Sequence, residues 1–196
     1  MNEQFIENYK TDTLEAFRNY KKLAERAIEQ VSGEEYFKAI DEESNSIATV
    51  VKHIGGNLRS RWTDFLATDG EKADRNRDSE FVSDADTRES LTALWETGWN
   101  ALFGTLESLT AEDFSKTVKI RGEDYSVVRA MNRALAHTAY HVGQIAFLAK
   151  HFRASDWKTL SVPRGQSGEF NAYLADNKDP AHYLEAAQDF AEKESK

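Results

Sequence analysis

Five histidines stand in the chain, at positions 53, 137, 141, 151 and 182. His137 and His141 lie four residues apart. On a helix that spacing turns by about 40° and rises about 6 Å, so both rings can reach one ion. His53 stands mid-way along another apolar-periodic stretch, beside Val50 and Ile54. Bundles of helices gather metal ligands from facing helices at a common level. Three neutral imidazoles would leave an ion's charge uncompensated and some of its positions open, the layout of a catalytic site rather than a closed structural one. The alternative, from spacing alone, is three satisfied, partly buried imidazoles with no metal. His151 lies about 15 Å along the axis from His141, too far to join the same ion. His182, in the tail, reads as a surface residue.

Neighbouring residues extend the candidate site. Asn57 follows His53 by one helical turn, Arg61 follows by two, and Gln144 lies three residues after His141. Asn57 and Gln144 would orient a water or substrate, or simply bond to a neighbouring helix. Arg61 would receive an anionic group, or form a salt bridge to an Asp or Glu. No residue stands out as a general base. Gly55, Gly56 and Gly143 are costly inside helices, about 1 kcal/mol each against alanine. They point to a close approach of the helices carrying His53 and His141, or to simple relief of crowding.

The elements that must position these side chains are long helices. The chain has 196 residues, no cysteine, and two prolines, Pro163 and Pro180. Nothing in the first 162 residues fixes φ or removes a backbone donor as proline does. Without cysteine there is no disulfide, no thiolate ligand and no thiol nucleophile of the protein's own. Residues 3–31 carry the stripe Ile6, Tyr9, Thr13, Phe17, Tyr20, Leu23, Ala27, Val31, with Ser32-Gly33 as its end. A second helix is expected over 44–66, closed by Thr68-Asp69-Gly70. Residues 69–82 are polar, carry both signs of charge, and read as a solvated crossover, long for a helical connection. Ser83 or Asp84 is expected to cap a third helix containing Leu91, Trp95, Trp99, Leu102 and Leu106. Residues 116–127 alternate around Arg121-Gly122 and read as a short hairpin. Ser126 then caps a fourth helix to about residue 152, with a near-heptad seam from Val128 to Phe152. A loop-rich tail follows, with short helices at 169–175 and after Pro180. The fold expected is all-α: a four-helix bundle over residues 1–172 and a helical tail over 173–196.

The charge balance is 25 basic against 34 acidic residues, a net −9. That sign argues against a sequence-independent nucleic-acid binder, which needs surplus Lys and Arg to displace counterions. No apolar run approaches membrane-spanning length, and the acidic first residues lack an apolar signal core. A cytoplasmic protein with no membrane partner is expected.

Several segments together resemble a known family. They are Ser46 to Leu66, which includes His53-Ile54-Gly55-Gly56-Asn57; Asp69-Gly70-Glu71-Lys72; Arg75-Asn76-Arg77-Asp78; His137-Thr138-Ala139-Tyr140-His141-Val142-Gly143-Gln144-Ile145; and Ser161 to Asn171. The chain resembles the DinB/YfiT-like superfamily, and within it a subgroup described as a domain of unknown function. The resemblance spans about residues 1–172. It implies a four-helix bundle, often a homodimer, with a divalent metal held by His53, His137 and His141. It also implies chemistry on a small-molecule substrate. Characterised relatives include thiol S-transferases and isomerases using low-molecular-weight thiols such as bacillithiol or mycothiol. The leading function is therefore a metal-dependent enzyme that activates a thiol cosubstrate or water, transferase-like or hydrolase-like. With no cysteine in the chain, any reacting thiolate must come from a cosubstrate. The rival is a non-catalytic helical module that binds a metal or ligand, or dimerises. Zinc, nickel, manganese and iron are not distinguished by imidazole ligands.

Overall fold

A computed structural model describes residues 3–176 and 183–194. The helix start expected at Pro180 and the surface position expected for His182 lie outside these residues. The described chain is mostly helical, with one two-stranded antiparallel sheet. No helix in it is long and apolar enough to cross a membrane.

Helix α1 (Glu3–Ile28) buries Ile6, Thr13, Phe17, Ala24 and Ala27. It stops three residues before the expected end. Past its end the Val31 N–H donates to the Ile28 carbonyl (3.3 Å), and the Arg88 guanidinium donates to the carbonyls of Ile28 (2.8 Å) and Val31 (3.2 Å). Ser32-Gly33 does not simply terminate this helix. Ser32 starts a new short one, α2 (Gly33–Phe37), through a reciprocal capping box with Glu35. Ser32 Oγ accepts from the Glu35 N–H, and the Glu35 carboxylate accepts from the Ser32 N–H.

Helix α3 (Ile47–Trp62) begins after Ser46, whose Oγ accepts from the Thr49 N–H. It ends at Trp62 rather than near 66. Thr105 Oγ1 donates to the Trp62 carbonyl at 2.7 Å, and Asp64 then takes a left-handed φ of 49°. Fourteen of its sixteen residues are buried, and only Lys52 and Arg59 reach toward solvent, so α3 is nearly enclosed. Its buried polar side chains, His53, Asn57, Ser60 and Arg61 among them, must find their partners inside the protein.

Thr87, not Ser83 or Asp84, caps α4 (Arg88–Ser108), exchanging bonds with Ser90. The expected hairpin is present as β1 (Thr117–Ile120) and β2 (Glu123–Ser126), with Ile120 opposite Glu123. Asp69 pins its turn: its two oxygens accept from the Arg121 N–H (2.8 Å) and the Gly122 N–H (2.7 Å). Ser126 caps α5 (Val127–Arg153), as its spacing predicts. Helices α6 (Ser167–Asp176) and α7 (Tyr183–Glu194) follow, with Phe170, Ala187 and Phe190 forming a small cluster of their own.

Helix α3 packs on α4 and α5, and α1 packs on α5 and α4. Phe17, Trp62 and Trp99 meet edge to face between them. The glycine reading needs correction. A Cβ at Gly98 would stand 2.6 Å from the Gly55 carbonyl oxygen, so the close backbone approach is between α3 and α4. Gly143 faces open space and brings no helices together.

Candidate metal centre

His53 sits mid-way along α3 and is only 4% exposed. Its Nδ1 lies 2.8 Å from Glu80 Oε2. An ionised carboxylate only accepts, so Nδ1 carries a proton, and the ring turns its Nε2 inward. That Nε2 is 3.1 Å from Nε2 of His137 on α5. His141, one turn further along α5, donates from Nδ1 to Gln144 Oε1 at 2.8 Å, which leaves its Nε2 free. The three ring centroids stand 4.5 to 5.2 Å apart.

One potential ligand nitrogen from each of His53, His137 and His141 lies within 4.8 Å of the other two. The group can therefore hold a metal ion. Two nitrogens on one tetrahedral ion at 2.0–2.1 Å would stand about 3.3–3.4 Å apart, close to the spacing of His53 and His137. Protonation does not compete strongly. Burial first, then the neighbouring His141, His53, Arg133 and Arg75, push His137 down to about 3. Burial also lowers His141, against an opposing contribution from its bond to Gln144. Both rings are therefore neutral at pH 7, as metal ligation requires.

Behind the histidines is a chain of charges that the sequence reading missed. The segment 69–82 is not a merely solvated crossover. It folds back so that a 3₁₀ turn, Asp78–Phe81, carries Glu80 into the interior, where it is 5% exposed. Arg75 grips Glu80 with two bonds, Nε to Oε1 and Nη2 to Oε2, both 2.8 Å. Burial alone would raise the Glu80 carboxyl, but the bonds from His53 and Arg75 outweigh it and hold it below its ordinary value. Gly56 makes room for this carboxylate: a Cβ there would stand 2.5 Å from Glu80 Oε1. Phe81 lays its ring against His53, centroids 5.0 Å apart. The only sequence hint was a single carboxylate beside the apolar pair Phe81-Val82 at the end of a polar run.

The other sequence candidates divide. Gln144 orients His141. Arg61 is buried and pairs through Nη2 with Glu71 at 2.9 Å, the salt-bridge alternative. Asn57 is buried and lines the cleft in front of the histidines together with Arg61. His151 is exposed and lies outside the group. The cleft has a volume of about 430 Å³ and reaches Tyr140, whose exposed ring stands against His141.

No curated protein and no solved structure matches this chain. A family model matches residues 4–166, most of the chain including all three histidines, their carboxylate partner and the arginines behind it. The chain belongs to the family described as Protein of unknown function (DUF1572).

Proposed function

We propose that this chain is a four-helix-bundle protein of the DinB/YfiT-like kind, in which His53, His137 and His141 hold one divalent transition-metal ion. The function this supports best is a metal-dependent enzyme, thiol S-transferase-like or hydrolase-like, acting on a small molecule. A second copy of the chain is its proposed partner. The observation that carries the reading is the orientation of His53. Its Nδ1 proton is committed to Glu80 and its Nε2 faces His137, an arrangement of carboxylate, imidazole and open nitrogen that raises ligand basicity.

When bound, a divalent ion supplies Lewis acidity that lowers the pKa of a bound water or thiol. The chain's own residues do the rest. Glu80 and Gln144 fix the tautomers of His53 and His141. Phe81 covers one face of His53 and limits water there. Asn57 offers a neutral amide in the cleft wall beside the histidines.

The cleft lining contains histidines, arginines and amides but no carboxylate among the described residues. Besides the histidines themselves, the one side chain in that lining able to take up a proton is the Tyr140 hydroxyl, so no carboxylate is placed as a general base. That observation favours a second reading, a non-catalytic metal- or ligand-binding scaffold.

Metal analysis of protein made without a histidine tag tests the first step. About one equivalent of metal is expected, with a thermal shift on adding zinc, nickel or manganese. A ligand at 100 times its Kd adds about 2.7 kcal/mol. His137→Ala should abolish the shift. Incubating the loaded protein with bacillithiol and monochlorobimane then separates the functions. A rate above the protein-free control supports the transferase; no rate leaves the hydrolase or scaffold.

A further inference from the structure

The chain carries a net −9, yet the wall of the cleft has the opposite sign. Arg61, Arg75, Arg77, Arg121 and Arg133 all line it, and no Asp or Glu does among the described residues. The carboxylates that balance them stand behind. Glu71 is shared by Arg61 (2.9 Å), Arg75 (3.2 Å) and Arg121 (3.3 Å). Glu80 is divided between Arg75 and His53. Five guanidinium groups thus face two carboxylates, and among the described residues neither Arg77 nor Arg133 forms an ion pair.

Arg61 is the sharpest case. It is 6% exposed, and its Nε and Nη1 are buried with no hydrogen-bond partner. A buried donor on a charged group is costly to leave unmade. The same side chain, with Asn57, Arg133 and His137, also walls a smaller recess beside the cleft. Burial lowers Arg61, and Arg75, Arg133 and Arg121 act in the same direction against Glu71. Arg61 thus has one carboxylate partner, Glu71, three guanidinium neighbours, and two donor nitrogens without a partner.

We propose that the arginines beside the histidines form a subsite for an oxyanion of the substrate or cosubstrate, a carboxylate or phosphate group, with Arg61 as its buried floor and Arg133 at its mouth. The guanidinium fork matches the paired oxygens of both groups. The inference deepens the metal-centre reading and rests on it for the second anchor of the bound molecule. It assigns that molecule to small anionic compounds, held at its charged end while its reactive part faces His137 and His141.

The test uses the full-length protein stripped of metal and dialysed free of chelator, at constant ionic strength in chloride. Succinate and inorganic phosphate are titrated separately by calorimetry, which tells the two chemistries apart. Saturable binding of one of them is expected. Arg61→Met should weaken it roughly tenfold or more, as expected for losing a charged hydrogen bond. Arg133→Gln should weaken it several-fold. Arg133 is exposed and unpaired, so that variant keeps the decision open if Arg61→Met does not fold. No saturable binding of either anion at tens of millimolar, or binding unchanged in folded variants, overturns the subsite. A parallel zinc titration separates the two readings. Anion binding without zinc binding leaves the subsite and removes the metal centre. Zinc binding without anion binding does the reverse.

Discussion

The Glu80 carboxylate stands 2.8 Å from Nδ1 of His53, while Arg75 holds both of its oxygens from the other side. A side chain that is 5% exposed thus ties the polar connection 69–82 to a histidine on the most enclosed helix. Its charge keeps His53 in one tautomer. Glu80→Gln retains the shape and removes the charge. Zinc affinity should fall about 10–100-fold, the usual cost of losing such a partner. Competition with a chromophoric chelator reads this directly. Wild-type affinity in the variant would reduce Glu80 to a partner for Arg75 alone.

The glycines separate packing from ligation. Gly98→Ala places a Cβ 2.6 Å from the Gly55 carbonyl, where only backbone can move. It should cost about 1–3 kcal/mol, as overpacking does. Gly56→Ala instead meets the Glu80 carboxylate, which Arg75 and His53 hold in its buried position. Moving it disturbs that buried ion-pair network, so stability should fall and zinc affinity should fall with it. Gly143→Ala meets nothing and should stabilise α5 by about 0.5–1 kcal/mol. Urea midpoints and zinc titrations of the three variants give the comparison.

Acid should destabilise the metal-free protein before its carboxylates titrate. The folded state holds His137 at about 3 against an ordinary 6.5, so between those values the unfolded chain binds more protons. Stability therefore falls as pH drops below about 6.5, by at most about 1.4 kcal/mol per pH unit for this one group. His141 shifts in the same direction, but its partial exposure screens the effect. The window above about pH 4.5 keeps out carboxylates held low in the fold, Glu80 and Asp113 among them, whose contributions are lost at lower pH. Urea unfolding across that window should show the slope, and His137→Gln should flatten it. A flat profile in the wild type would contradict the buried, neutral state of His137.

Much of this arrangement is legible in the residues. The four-residue spacing of His137 and His141, the alternation around Gly122 and the cap at Ser126 are local patterns, and local patterns survive folding. Three other features are not local. The stop of α3 at Trp62 depends on a hydroxyl from α4, Thr105. The partner of Gly55 is the α4 backbone, which no spacing within α3 reveals. Glu80 lies among charges of both signs, and the apolar Phe81-Val82 beside it hints at burial without naming His53 or Arg75 as its partners. Ser32-Gly33 was readable and ambiguous: glycine after serine can end a helix, but Glu35 three residues on makes it a start.

The proposed metal centre requires three imidazole nitrogens to converge on one ion. A crystal structure of untagged protein grown with zinc, with anomalous data at the zinc edge, measures this most directly. One peak is expected, at about 2.0–2.1 Å from Nε2 of His53, His137 and His141 alike. The Glu80 bond to His53 should be retained. No peak there, with His53 and His137 still hydrogen-bonded to each other, would contradict the metal centre.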